Sequence, residues 1–159
     1  MEFVNLEPPM KDKSPIENLI KVMVRLRDPV EGCPWDREQT FASVASFTIE
    51  AAYEVSEAIE CNDIDSIKEE LGDLLLQIVF HSRIAEESGF FDFNEVVQIV
   101  IDKMIRRHPH VFGEDGKRDI EYHSEEWETH KNQERSEKAR NRGYKSPSIL
   151  DDVALAFPA

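Results

Sequence analysis

At 159 residues the chain is long enough for one domain with a real hydrophobic core, and its nine phenylalanines exclude a disordered polymer. A formal net charge of -14 sets up a field that repels nucleic acid, so a polyanionic ligand has to be met through a bound cation or a local basic patch. Two cysteines without metal-type spacing, no signal-peptide core and no apolar run near the ~20 residues of a membrane span point to a reduced, cytoplasmic protein that neither crosses a membrane nor binds nucleic acid.

The first helical signals lie in SPIENLIKVMVRLRD. Ser14 is the N-cap, Pro15 takes the first helical position and Glu17 completes a capping box, which predicts a helix over 15–27. PVEGCPWDREQT, with two prolines and a glycine, reads as an irregular loop. A second helix covers roughly 40–61. Asp63 or Asp65 caps a third, which runs to about 88, where Gly89 supplies the stop. A fourth opens on an Asp92/Glu95 capping box and stops at Pro109. After the loop HVFGEDGKRD, the stretch SEEWETHKNQERSEKAR is charged on nearly every side around one tryptophan and reads as a surface helix ending near Arg140. No alternating strand pattern and no repeat competes. The fold class is therefore all-α, a helical bundle of about five helices over 14–142, with an N-terminal tail at 1–13 and a C-terminal tail at 143–159.

At 3.6 residues per turn, Ile67, Leu71, Leu74, Ile78 and Ser82 share one face of the third predicted helix, and Glu70, Asp73 and Gln77 run along its border. The second predicted helix carries Glu50, Glu54 and Glu57 on one face. If these helices pack antiparallel, carboxylates meet, and a pair about 5 Å apart repels by roughly 3 kcal/mol at an effective dielectric near ~20. A divalent cation reverses that sign. Oxygen-only ligands suit Mg²⁺ or Mn²⁺ rather than Zn²⁺. A carboxylate-bridged di-iron bundle would need Glu-x-x-His, and none of the five histidines has a glutamate three residues before it. Basic residues supply a second pattern: Lys103 and Arg107 share a face of the fourth predicted helix, as do Trp127 and Lys131 on the fifth. Beside a cation site, such stripes fit the phosphates of a nucleotide.

Taken together, these residues resemble the MazG family of all-α nucleoside triphosphate pyrophosphohydrolases. GCPWDREQT, IEAAYEVSEAI, EELGDLLLQIVFHS, FDFNEV, DKMIRRHPHVF and the Trp127/Lys131 pair stand in the family's order and spacing, over nearly the whole of 14–142. The resemblance implies Mg²⁺-dependent hydrolysis of a nucleoside triphosphate between the α and β phosphates, giving monophosphate and pyrophosphate, in a homodimer of helical bundles. It implies that Glu54, Glu70 and Asp73 are metal ligands, that Glu50 is an adjacent acid binding metal or orienting water, and that Lys103, Arg107, Trp127 and Lys131 contact the nucleotide. Trp35 would either stack on a base or pin the proline-rich loop to the bundle.

The chain departs from the family motif at Ala51, where the motif would place glutamate. The fold is expected to survive that alanine, while metal affinity and hydrolysis fall, in either an altered or a naturally weakened domain. The final SILDDVALAFPA resembles a linker to a second domain. A second reading stays open on these grounds: a catalytically weak nucleotide-binding or dimerisation domain of a two-domain protein.

Overall fold

A computed structural model describes residues 14–112 together with positions 129, 131–134, 136–137 and 140. The chain divides into two compact units, with the boundary between Gln98 and Ile99. Among the described residues every regular element is helical: α1 (Pro15–Leu26), α2 (Pro34–Glu38), α3 (Phe41–Glu60), α4 (Ile64–Glu87), α5 (Phe93–Arg107) and α6 (Pro109–Phe112). Positions 129, 131–134, 136–137 and 140 are helical too, within the predicted fifth helix. The tails 1–13 and 143–159, and Trp127, lie outside the described residues.

The helix starts follow from their caps. Ser14 accepts from Glu17 N while the Glu17 carboxylate accepts from Ser14 N, and Asp92 and Glu95 exchange the same two bonds at α5. At α3 the cap is Thr40, with the Ser43 hydroxyl in the place glutamate usually takes. Asp63, rather than Asp65, caps α4 by accepting from Asp65 N and Ser66 N. Asn62 and Gly89 bracket α4 with φ of 53° and 71°, left-handed values that asparagine and glycine tolerate best.

The segment read as an irregular loop is more ordered than expected. The Asp28 carboxylate accepts from Val30 N and Glu31 N, and these two bonds hold it below the usual carboxylate range. Cys33 N then donates back to Leu26 O at 2.8 Å, which leaves no room at residue 32 for a side chain: a Cβ there would lie 2.5 Å from Asp28 O and from Leu26 O. Pro34 starts the single turn of α2, its missing N–H costing nothing at that position. Likewise Pro109 ends α5 but opens α6, where Val111 N and Phe112 N donate to His108 O.

In the first unit α3 packs along α4 and α1 crosses α4. Thr48 Oγ1 bonds His81 Nε2 at 2.9 Å and Phe41 stacks on the His81 ring, so the start of α3 meets the later half of α4 and the pair is antiparallel. The core is Met23, Val44, Val79, Phe80 and Ile84, with Ile16, Leu19, Ile20, Leu76 and Phe93 against it. The α4 core face is thus rotated from the expected one: Leu71 remains 50% exposed and Ile78 40%. Leu76, Val79, Phe80 and Ile84 pack into the core in their place.

Arg27 joins the ends of three helices. It is buried at the C-cap of α1, donates from Nε and Nη2 to the Glu87 carboxylate at 3.0 and 2.7 Å, and gives Nη1 to the carbonyls of Asp36 and Gln39. Its guanidinium also lies 5.4 Å from the Phe80 ring centre. Burial alone would raise the Glu87 carboxyl, but the bonds and charge of Arg27, with Arg83, outweigh burial and hold it below its ordinary 4.5. Glu87→Ala leaves the Arg27 charge buried without its partner. The expected loss in urea unfolding at pH 7 is about 2 kcal/mol, below the usual ~3–5 for a buried pair because Glu87 keeps some contact with water. A depressed carboxyl stabilises above its unfolded value and ceases to as pH falls through its folded value, so the gap between wild type and variant closes below pH 4.5.

Candidate functional site

The end of the α3/α4 pair away from Arg27 is where the acids gather. On α3 the small residues Ala51 and Ala58 are buried, 3% and 6% exposed, and let the helices approach closely. Glu50, Glu54 and Glu57 flank that seam and are exposed. Across from them, Glu70 is partly buried and Asp73 exposed on α4. The Glu70 carboxyl is raised above its ordinary value, by loss of hydration first and then by the charges of Glu54, Asp73, Glu69 and Glu57. Glu54 and Asp73 are therefore within electrostatic reach of Glu70, and Glu50 lies one turn from Glu54 toward the start of α3. Glu57, read on the acidic stripe but left out of the expected ligand set, proves to act on Glu70 as well.

On the border of the same helix, Gln77 Oε1 is buried without a hydrogen-bond partner among the described residues. His81, next along the helix face, is bonded to Thr48, and burial lowers its pKa, so it is a neutral packing group.

Among the described residues no three carboxylate, imidazole or thiol groups stand at metal-ligand spacing. The donor set nevertheless fits a hard divalent cation: it is all oxygen, three of its members sit on solvent-accessible side chains that can turn, and Glu70 is a carboxylate whose charged form its neighbours disfavour. A cation relieves that repulsion as a proton would.

Three residues expected to contact phosphate, Lys103, Arg107 and Lys131, are described in the second unit. Lys103 is partly buried on α5, and Lys131 lies in the later helical stretch. The Arg107 side chain, 12% exposed, is held by Glu134, which is 14% exposed: Arg107 Nη2 donates to Oε2 at 2.5 Å and Nε to Oε1 at 3.3 Å. Arg106 Nη2 donates to Oε1 of the same carboxylate. Glu134 is brought down to about 2, by the Arg107 hydrogen bonds first, against burial and with help from Arg106. Its one sequence signal is the i, i+3 spacing from Lys131, which every charged helix shows many times.

Trp35 packs edge-on against Phe47 of α3, centroids 6.0 Å apart, and its carbonyl accepts from Gln39 Nε2. It pins the 28–39 segment to the bundle. A cleft of about 550 Å³ opens beside that segment, lined by Arg27, Pro29, Arg37, Arg83 and Glu87 among others. Arg27 and Arg83 are spent there on Glu86, Glu87 and backbone carbonyls, so the cleft belongs to the scaffold.

Known proteins match this arrangement. The profile of the MazG nucleotide pyrophosphohydrolase domain fits residues 39–112, from the residue before the α3 cap to the end of α6. The chain is 46% identical, over 91% of its length, to the nucleoside triphosphate pyrophosphohydrolase of Escherichia coli K12, and 47% identical over 79% to the nucleoside triphosphate pyrophosphohydrolase/pyrophosphatase MazG of Thermotoga maritima. It spans about half the length of these relatives, 52% and 48%. The crystal structure of a MazG-related protein from Thermotoga maritima superposes with a TM-score of 0.60 at 26% identity, covering 72% of this chain and 97% of that one. With its antiparallel acidic helices, its domain match and these relatives, the chain belongs to the MazG family.

Proposed function

We propose that the chain hydrolyses nucleoside triphosphates, ribo- or deoxyribo-, to monophosphate and pyrophosphate with the aid of Mg²⁺, Mn²⁺ being able to substitute. The observation that carries this reading is the antiparallel packing of α3 on α4, which sets Glu54 opposite Glu70, whose carboxyl is raised by loss of hydration first and then by Glu54 and Asp73: an all-oxygen set that a divalent cation would satisfy. Glu54, Glu70 and Asp73 would hold the ion, which supplies charge neutralisation and ordering of phosphate oxygens. Glu50, exposed beside Glu54, would orient the water for in-line attack on the α-phosphorus; the bond from that phosphorus to the bridging oxygen breaks. Lys103, Arg107 and Lys131 would meet the charge on the departing pyrophosphate, with Trp127 contributing to nucleotide contact.

The second reading, a catalytically weak nucleotide-binding or dimerisation domain, is favoured by Ala51. Its 3% exposure means that a glutamate there would start from a buried Cβ in the helix seam. Ala51→Glu should therefore cost about 2 kcal/mol of stability in metal-free buffer, a typical cost for a poorly paired buried polar group, and regain it when Mg²⁺ is added. Assayed with each common triphosphate in ¹⁸O-labelled water, the chain should release pyrophosphate slowly, with the label in the monophosphate, and Ala51→Glu should be faster. Label in pyrophosphate would reject attack at the α-phosphorus. Fast turnover by the chain as it stands, with no gain from Ala51→Glu, would show that position 51 supplies no ligand.

The raised Glu70 carboxyl gives a test that needs no turnover. A glutamate whose folded value is raised opposes folding above that value, and the opposition fades as pH falls toward its unfolded value. In metal-free buffer at pH 7, Glu70→Gln should melt higher than the wild type. Added Mg²⁺ should raise the melting temperature of the wild type alone; an equal rise in both proteins would remove Glu70 from the ligand set.

Leu71, Leu75 and Ile78 form an uncovered apolar run on α4, which supports a homodimer. Sedimentation at micromolar concentration should give the mass of two chains, and Leu71→Asp should give one folded chain. A wild type that sediments as one chain would reject the dimer.

A further inference from the structure

The phosphate-binding roles of Arg107 and Lys131 in the reading above leave Glu134 unexplained. A carboxylate set between two guanidinium groups weakens the local attraction for anions, and the chain as a whole already carries -14. By charge alone Glu134 is a liability to triphosphate binding.

Its geometry argues the reverse. Arg107 and Glu134 share a two-point contact, Nη2 to Oε2 at 2.5 Å and Nε to Oε1 at 3.3 Å, with both side chains nearly closed off from water. Such a contact fixes the plane of the guanidinium as well as its place. Arginine side chains carry a large rotamer entropy, which a phosphate would otherwise have to overcome on binding. Glu134 also lies three residues after Lys131 in the same helical stretch, so the two share a helix face. Holding Glu134 on Arg107 therefore ties the helical stretch that carries Lys131 to the last turn of α5. All these residues belong to the second unit.

We propose that Glu134 is a positioning residue for the triphosphate: its two-point clasp on Arg107 sets the guanidinium plane and holds Lys131 beside it, so that both cations are in place before the ligand arrives. The inference rests on the reading of Arg107 and Lys131 as phosphate contacts.

The test is a calorimetric titration with the α,β-methylene analogues of the common nucleoside triphosphates, which cannot be cut at the bond in question, and with the corresponding monophosphates, all in excess Mg²⁺. The wild type, Glu134→Ala and Glu134→Gln are compared, with far-ultraviolet circular dichroism as the check on folding. The expected result is a triphosphate Kd raised roughly tenfold in Glu134→Ala, a smaller rise in Glu134→Gln, which keeps the shape and one acceptor, and monophosphate binding unchanged in both. The sign is diagnostic: if Glu134 acted only through its charge, its removal would tighten triphosphate binding. A Kd that falls or stays the same in Glu134→Ala overturns the proposal, as does an equal loss for mono- and triphosphate. If Glu134→Ala loses helix, natively folded Glu134→Gln decides by the same sign. A wild type that binds no triphosphate analogue overturns the underlying reading, and this proposal with it; a wild type that binds well beside an unaffected variant overturns the role of Glu134 alone.

Discussion

Among the described residues of the first unit Arg27 is the one charge that water hardly reaches, and the geometry of α1, α2 and α4 depends on how its donors are used. A guanidinium stays protonated in proteins, so burying it commits the fold to supply acceptors in fixed directions. Glu87 at the end of α4 satisfies one edge, and two carbonyls around the end of α2 satisfy the other. Those carbonyls belong to a segment ordered otherwise by the Asp28 turn, the bond from Cys33 N to Leu26 O and the Trp35–Phe47 contact. Tying that segment down fixes where Thr40 starts α3. The start of α3, through Phe41 and Thr48 on His81, then sets its register along α4.

The consequence is felt about three turns away. Once the later half of α4 is clasped and packed, the earlier half can carry an arrangement that would not hold by itself: Glu70 faces Glu54 and Glu57 on the opposite helix and Asp73 and Glu69 on its own. Buried alanines at 51 and 58 draw the helices together beneath this row. Like charges forced close on small-residue packing are a local conflict in a fold that is otherwise consistent, and such conflicts concentrate at functional sites. Stability at one end of α4 thus offsets repulsion at the other.

Local chemistry made much of this legible in the sequence. The boxes at Ser14 and Asp92, the stop at Gly89 and the start at Thr40 each rest on residues within a few positions of one another, and the helices begin and end where those residues direct. What escaped is non-local or too short to be periodic. Arg27 and Glu87 are 60 residues apart, with nothing in either neighbourhood to mark the pair. One turn of helix at Pro34–Glu38 shows no apolar rhythm, and its prolines and glycine suggest irregular chain. The α4 core face was misjudged because an apolar run reads alike whether its cover comes from the same chain or from elsewhere. Acids on consecutive helices were legible through i, i+4 and i, i+3 spacing. The burial of Ala51 was not, since alanine fits a seam and a surface equally well.

An acidic chain that handles a polyanion needs its attraction to be conditional. On the proposed reading each unit tempers its attraction for phosphate: the first presents carboxylates, and in the second two arginines share Glu134, with Asp102 and Glu137 also acting on Arg106. On that reading the long-range field would oppose a bare polyanion, and short-range contacts would become favourable for a ligand that arrives with a divalent cation. Affinity built this way selects a metal-bound oligophosphate over a bare one, because the cation cancels the repulsion of the first unit. A chain with a net positive face would bind phosphate more tightly and discriminate less. On that reading the charge of -14 would be part of the selectivity, and the acids that crowd Glu70 would make binding depend on the ion.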